Sequence, residues 1–455
     1  MGYCASVFLV LSALVLKILI TANVFLPLEF TPHSLSTVPG SEGHWGNEDL
    51  QLLGSGSAYI GTSDDRHGWM TPTGDTKVIV GMLVPAWAPP TEGVKMKALR
   101  SERQGFLTVG LPRAGGGWEQ RELGMLAYPH ADLHPHGLYV SERETFRGLP
   151  LVYAVNHRAD EAGAAITDEI SVCAASVKDG TCRYLYGIMS PELVSLNDVV
   201  SLSESPGGGG TARGEIYATR WRKNQVGTLM NVLETYLQLP LASVVHCTYE
   251  VPSAESLAAG GAGRIVQAKC ETAAAGIKMS NGISLGREAM DKGQGSGTVE
   301  LYVAASLSKA VHKYAAGDGA LELVASFPLT QLADNLSWST DGRLIVAGHP
   351  KAFAFRDHAM SPLTTVAPCM VESIDVETGD VKILFADDGR RLSGCSVAVD
   401  LGRDGWWAYG GVYVKSTGLF KIAEEQEEEG GCGGAGGGAE ADMGGEGMCT
   451  GPPPQ

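Results

Sequence analysis

The chain has 455 residues, 44% hydrophobic and 19% charged, which is ample material for a large buried core and excludes global disorder. A formal charge of −17, with no Lys/Arg-rich stripe interleaved with aromatics, makes the surface repel phosphate backbones and excludes nucleic acid as a partner. The acidic balance suits carboxylates that hold divalent cations, and it serves solubility equally well.

In chain order, the first element is residues 1–28. From Tyr3 to Leu28 the chain is apolar with Lys17 as its one charge. At ~1.5 Å per residue that run is long enough to cross a bilayer. It reads as a signal peptide or a signal anchor, so the expected location is the secretory pathway, membrane-anchored or extracellular, with membrane association through this segment. Met1-Gly2 with Ser6 also matches the myristoylation pattern, against which the apolar run directly behind it argues.

Between residues 45 and 423, short Val/Ile/Tyr-rich runs recur between Gly, Asp, Asn and Pro: TKVIVGMLV, GLYVSE, LPLVYAVN, GEIYATR, ASVVHCTYEV, VELYVAAS, GALELVASF, GRLIVAGH, DVKILFA and WWAYGGVYV. This is the all-β pattern, and it suits a sandwich, a barrel or a propeller alike. GTLMNVLETYLQL (227–239) is the clearest helical exception. SPGGGGTARG (205–214) and KGQGSG (292–297) read as Gly-rich surface insertions, and residues 424–455 as a disordered Gly/Glu-rich tail. The nine Cys include no C-x-x-C pair; Cys173 and Cys182 could bridge locally in an oxidising compartment, while isolated Cys are more often buried thiols.

Three dipeptides place oxygen-bearing side chains next to one another: Glu48-Asp49, Asn197-Asp198 and Asp334-Asn335. In extended backbone neighbouring side chains point to opposite faces, so such a pair can serve two ions at once. Carboxylate, amide and carbonyl oxygens are what calcium takes, although Asp and Asn are also the ordinary residues of turns.

Around these dipeptides stand NEDLQLL (47–53), HPHGLYV (134–140), YAVNH (153–157), SLNDVVSL (195–202), SNGISL (280–285), LADNLSW (332–338) and GHP (348–350). In that order and rough spacing they resemble the blocks of the paraoxonase/arylesterase family, over residues from about 45 to 423. The resemblance implies an all-β, six-bladed β-propeller with two calcium ions in its central tunnel. It implies a catalytic ion held by Glu48, Asn197, Asn281, Asp334 and Asn335, and a deeper structural ion held by Asp49, Asp198 and the carbonyl of Leu138. It further implies a catalytic pair, His136 and His157, with His349 lining the substrate site. His134 has no counterpart in these blocks and is expected to be a solvated loop residue. The implied activity is hydrolysis of small-molecule lactones and aryl esters by metal-assisted water attack, with phosphotriester hydrolysis as a minor side activity.

Some positions depart from the family pattern. TRWRKN (219–224) puts Arg220, Trp221 and Arg222 where an acidic residue and a histidine are usual, which leaves substrate preference open. No Cys lies between Cys4 and Cys173, so the family's ring-closing disulfide is missing and closure must rest on strands and metal. The stretch Pro85 to Leu123 is longer than the family pattern and is expected to be an elaborated loop. Gly282 to Gly286 satisfies G-x-S-x-G, with Asp334 and His349 downstream, which would make Ser284 the nucleophile of an α/β-hydrolase; REAMDKGQGSG behind it reads as too Gly-rich to supply the helix that motif needs. The other alternative is a non-catalytic or strictosidine-synthase-like propeller. Asn335-Leu336-Ser337 matches the N-glycosylation pattern but, as an ion ligand, Asn335 is expected to be unmodified.

Overall fold

The structure is a computed structural model and describes residues 2–422 apart from 26, 32, 45, 55, 65–104, 131–132, 160–165, 203–212, 225–228, 259–263, 293–298 and 392. The expected strand TKVIVGMLV (76–84), most of both Gly-rich insertions and the tail from 424 lie outside the described residues.

The described chain is all-β and propeller-like. It runs through β1 (His33–Thr37), β2 (Leu50–Leu52), β3 (Tyr59–Ser63), β4 (Phe106–Pro112), β5 (Trp118–Leu126), β6 (Pro135–Phe146), β7 (Leu149–Ala159), β8 (Ile166–Ser176) and β9 (Thr181–Met189). There follow β10 (Leu196–Ser201), β11 (Arg213–Arg220), β12 (Ala242–Glu250), β13 (Ile265–Gln267), β14 (Lys269–Ile277), β15 (Ser280–Leu285), β16 (Val299–Ala305), β17 (Ala310–Gly317) and β18 (Ala320–Pro328). The last are β19 (Leu332–Trp338), β20 (Leu344–His349), β21 (Cys369–Ile374), β22 (Val381–Asp387), β23 (Val397–Asp400), β24 (Trp406–Gly410) and β25 (Gly418–Ile422).

Four-stranded antiparallel sheets form in the orders β10-β11-β12-β14, β15-β16-β17-β18 and β19-β20-β21-β22. The meanders β2 to β5 and β6 to β9 are joined into one sheet by a short parallel pairing of β5 with β9, which β13 also borders. The cores lie between successive sheets: Val199, Ile216, Val244, Ile283, Leu301 and Val303, all buried, belong to one cluster that runs from β6 to β17. Sheets covered on both faces explain the near-continuous apolar runs in the sequence.

Closure is made by the sheet β1-β25-β24-β23, in which β1 from the start of the chain pairs antiparallel with β25, His33 opposite Ile422 through Thr37 opposite Gly418. Strand hydrogen bonds therefore stand where the disulfide is missing. Among the described residues there are three local bridges instead: the anticipated Cys173–Cys182, and also Cys247–Cys270 and Cys369–Cys395, so those last four cysteines are not the thiols that their isolation implied.

Several expectations need correction. The stretch expected as a loop up to Leu123 holds β4 and most of β5, paired from Leu107 with Leu123 to Pro112 with Trp118; its residues 85–104 are outside the described set. WWAYGGVYV is not one strand, because β24 stops at Gly410, where a Cβ would lie 1.8 Å from the Asn47 carbonyl oxygen. The helix α1 (Gly2–Thr21) ends short of Leu28, and Asn23, at φ +53°, turns the chain onto the protein: its Nδ2 donates to the carbonyls of Thr330 (2.6 Å) and Pro350 (2.9 Å). Among the described residues no helix is long and apolar enough to cross a membrane. The expected helix at 227–239 forms as α2 (Leu229–Tyr236).

Candidate active site

Four strands that face the middle of the molecule share one device. Along β6, β10, β15 and β19 the pairing with the next strand skips a residue: Pro135 to Leu138 face Asn156 to Ala154, Leu196 to Val199 face Arg220 to Ala218, Ser280 to Ile283 face Ala305 to Val303, and Ala333 to Leu336 face Gly348 to Val346. Each is a β-bulge, which re-aims side chains and leaves residues outside the ladder. The residues inside the four bulges are His136-Gly137, Asn197-Asp198, Asn281-Gly282 and Asp334-Asn335, the motif residues of the sequence. Glu48-Asp49 stands just before β2.

The bulges bring these segments together. Gly137 lies against Asn197-Asp198, and Gly282 against Asp334-Asn335. The Leu138 N–H donates to Asp49 Oδ2 (2.8 Å), Ile283 N–H to Asp198 Oδ2 (2.8 Å) and Asn335 N–H to the Ser396 carbonyl (2.9 Å). The Glu48 carbonyl accepts from Asn335 Nδ2 (3.0 Å) and Ser396 Oγ (2.6 Å).

Neighbouring side chains do face two different spaces. Glu48, His136, Asn197, Asn281, Asp334 and His349 line a cavity of about 210 Å³, whereas Asp49, Leu138 and Asp198 line a second one of about 80 Å³. In the larger, Glu48 Oε1 is 2.5 Å from His136 Nε2, and Asp334 Oδ2 is 2.9 Å from His349 Nε2. The amide oxygens of Asn197, Asn281 and Asn335 are buried and have no hydrogen-bond partner among the described residues. Leaving a buried amide oxygen unsatisfied costs about 1–3 kcal/mol, so three of them beside two carboxylates form a set that a hard cation would satisfy. Among the described residues there is no metal-site cluster of three or more His, Cys, Asp or Glu, because most of these donors are amides.

In the smaller cavity, burial pushes the Asp49 carboxyl well above the usual carboxylate range, and the charge of Asp198 adds to the shift. Burial likewise takes Asp198 up to about 7, with Glu48 and Asp334 adding repulsion against the two backbone N–H groups it accepts. Like charges buried this close call for a proton or a cation.

Two imidazoles meet at the edge of the larger cavity. His136 Nδ1 lies 2.7 Å from His157 Nε2, and His157 Nδ1 lies 2.7 Å from Asp168 Oδ1. His136 Nε2 is 3.2 Å from Asn197 Nδ2. His349 is stacked on Phe355 with ring centroids 3.4 Å apart. Trp221, Phe353, Tyr413 and, from the end of α1, Ile18 make the walls largely apolar. Arg222 stacks over Trp221 at 4.1 Å and donates from Nη1 to Asn231 Oδ1 (2.8 Å), so the TRWRKN departure is part of the wall.

Every sequence-predicted site residue except His157 and Asn335 lines one of the two cavities; His157 stands behind His136, and Asn335 is tied to the Glu48 backbone beside them. His134 is corrected: it is buried, with Nδ1 3.0 Å from Asp64 Oδ1, because its partner comes from the end of β3, seventy positions earlier. The helix after Ser284 is corrected too, since Arg287–Lys292 is helical; but Ser284 lies within β15, bonds Leu285 O (3.1 Å) and lines the smaller cavity, away from His349. Sequence reasoning missed Asp168, Phe355 and the α1 residues. Of these, Asp168 alone carried a clue, as an acid on the strand after His157.

The family model described as Arylesterase matches residues 117–415. No curated protein matches the chain. Similar solved structures include the periplasmic gluconolactonase PpgL of Pseudomonas aeruginosa, at 13% identity over 83% of this chain and 89% of that one, TM-score 0.40. A luciferin-regenerating enzyme is similar at 8% identity, 86% and 95% coverage and TM-score 0.40. The gluconolactonase XC5397 of Xanthomonas campestris is similar at 13%, 64% and 91%, TM-score 0.30.

Proposed function

The chain belongs to the arylesterase family, and from that premise we propose that it is a calcium-dependent hydrolase that opens lactones and aryl esters by attack of water on the carbonyl carbon. The observation that carries the reading is the set of buried amide oxygens of Asn197, Asn281 and Asn335, without hydrogen-bond partners among the described residues, beside the carboxylates of Glu48 and Asp334. These five are assigned to a catalytic ion; Asp49, Asp198 and Leu138 are assigned to a structural one. The meanders are read as six blades, the joined sheet supplying two of them and β1 completing the last.

When bound, the catalytic ion would supply a Lewis-acid contact for the carbonyl oxygen on which negative charge develops. The chain's own groups do the rest. His136, which lines the cavity, accepts the proton that water loses as its oxygen bonds to the carbonyl carbon, and returns it to the leaving oxygen as the acyl C–O bond breaks. His157 holds Nδ1 of that ring. Phe355 and Asp334 together fix His349, and the apolar wall takes the acyl or aryl part of the substrate and excludes bulk water.

The test is a panel of lactones, aryl esters and one phosphotriester, run with and without a calcium chelator, on the intact protein and on His136→Gln. The expected result is turnover of lactones and aryl esters that chelation abolishes and re-added calcium restores, with at least a ~100-fold loss in the variant. Activity that survives exhaustive chelation would remove the calcium, and unchanged turnover in His136→Gln would remove the base.

A further inference from the structure

We propose that Arg222 and Arg356 select the substrate of this site: a lactone or aryl ester that carries a carboxylate remote from the carbonyl being opened. The inference rests on the proposed hydrolysis and names the substrate class within it.

Both guanidinium groups belong to the lining of the larger cavity, and both arrive on segments that leave the sheets past an inner strand. β11 ends at Arg220, opposite Leu196, and the Trp221 N–H donates to the Ser195 carbonyl (3.0 Å). Trp221-Arg222 therefore lies just beyond the start of β10, the strand whose bulge holds Asn197-Asp198. β20 ends at His349, opposite Leu332 at the start of β19, whose bulge holds Asp334-Asn335; the helix Ala352–Met360, which carries Arg356, follows it. The bulges stand inside the strands and the two cations stand beyond them.

One helix braces both cations. From α2, Asn231 Oδ1 accepts from Arg222 Nη1 at 2.8 Å, and Tyr236 is hydrogen-bonded to Arg356. Arg222 is the deeper, at 4% exposure, with its Cζ 4.1 Å from the Trp221 ring centroid. Arg356 is half-buried and reaches Asp357 Oδ1 from Nη2 at 2.7 Å.

A guanidinium stays charged at every pH at which the protein is folded, so these are permanent cations. In a wall otherwise made by Trp221, Phe353 and Tyr413, that charge acts more strongly than it does in water. Its planar fork matches the two oxygens of a carboxylate, and the bond to Asn231 occupies one of its five N–H donors. The acids of the same cavity would repel an anion, but Glu48 and Asp334 are engaged with His136 and His349 at the level of the bulges. A substrate carboxylate is therefore drawn to the arginine side while the scissile carbonyl faces the bulges, and an uncharged ester gains nothing from this arrangement. If Arg222 only braced the Trp221 ring, removing its charge would weaken charged and neutral esters alike.

The experiment uses the full chain loaded with calcium. It is compared with Arg222→Met, which keeps an apolar stem without the charge, with Arg222→Lys, which keeps the charge without the fork, and with Arg356→Met. The probes are the monophenyl esters of glutaric, adipic and pimelic acids, each paired with the phenyl ester of the fatty acid of equal chain length. The corresponding anilides, which resist hydrolysis, report binding by calorimetry. The quantity read is the preference for the carboxylate within each pair, as a ratio of kcat/KM or of association constants. The parent is expected to show a preference of roughly 10- to 100-fold in at least one pair, the size of a charge-assisted hydrogen bond. Arg222→Met should lose most of it, Arg222→Lys should keep part, and Arg356→Met should lose a smaller share. A parent with no preference in any pair, or a preference that stays within about threefold in Arg222→Met, overturns the proposal. Should Arg222→Met not fold, the other two variants decide: an unchanged preference in both overturns it and a fall in either upholds it. A parent that hydrolyses none of the esters would defeat the functional reading, while the anilides would still decide this one by the same ratios.

Discussion

Adding one methyl group at Gly137 tests whether the bulges are built to bring backbone against backbone. A Cβ there would lie 2.4 Å from Asp198 Oδ1, 2.5 Å from the Asn197 carbonyl oxygen and 2.6 Å from Asp198 Cα. Ordinary contact starts at 3.4 Å, so the obstacles must retreat by 1.0, 0.9 and 0.8 Å respectively (3.4 minus each distance). Two of the three are main-chain atoms in β10 and cannot rotate away, so β6 or β10 shifts by close to 1 Å. Calcium–oxygen distances span only about 0.3 Å, so that shift takes Asn197 and Asp198 out of coordination range. Gly137→Ala should therefore lose about 1–3 kcal/mol of stability, the usual cost of overpacking, and about 100-fold in turnover, the cost of a 1 Å misplacement. Gly282→Ala should behave alike, since its Cβ would meet Asn335 Cα at 2.6 Å and the Asp334 carbonyl oxygen at 2.8 Å. Gly115→Ala, with nothing within 4 Å, is the control. Urea midpoints and aryl-ester turnover at saturating calcium are the assays, and variants at 137 and 282 indistinguishable from that at 115 would refute the reasoning.

Burial takes the Glu144 carboxyl from 4.5 up to about 7, against the hydrogen bond it accepts from Ser201 Oγ. A raised carboxyl pKa favours the protonated native state, so its contribution is full below pH 4.5 and is lost as the pH rises through about 7. That loss amounts to about 3 kcal/mol from a shift of about 2.5 units. Glu144→Gln should lack this decline, with urea midpoints that diverge from the parent between pH 5 and pH 8; parallel pH profiles would contradict it. Leu35 of β1 packs partly buried against the cluster that holds Phe385 and Phe420, on the strand that closes the ring. Leu35→Ala should cost about 1–2 kcal/mol and speed unfolding roughly 5- to 30-fold, as read by stopped-flow dilution into urea. Unfolding at the parent rate would mean that closure does not hold the ring.

How much of the site the sequence could disclose depends on what kind of relation each residue has. The alternation at Glu48-Asp49 and Asn197-Asp198 is a property of neighbouring residues in extended chain, so their division between two cavities was legible from the dipeptides alone. The bulges were not. A bulge is a mismatch between two strands, and Leu196 to Val199 looks regular until Arg220 to Ala218 is set opposite. Asp168 was hidden for the same reason: eleven positions separate it from His157, and only the β7/β8 register makes them neighbours. Cys247 and Cys270 are likewise opposite each other only once β12 is paired with β14. The helix after Ser284 was misjudged because the Gly-rich residues that follow it were weighed together with REAMDK, whose Glu, Ala, Met and Lys are good helix formers.

The ring of contacts around the middle also explains why site and fold cannot be separated here. Asp49 and Asp198 each accept two backbone N–H groups, one of them from a different meander, Leu138 for Asp49 and Ile283 for Asp198. Four such bonds would ordinarily hold both carboxyls low, yet burial and repulsion from neighbouring carboxylates outweigh them and drive both up. The strands are therefore tied together through groups that are costly to keep charged. Protonation would relieve that cost but weaken the acceptors. A dication would relieve it and leave the acceptors intact, which under the proposed function makes ion binding and the joining of meanders one equilibrium.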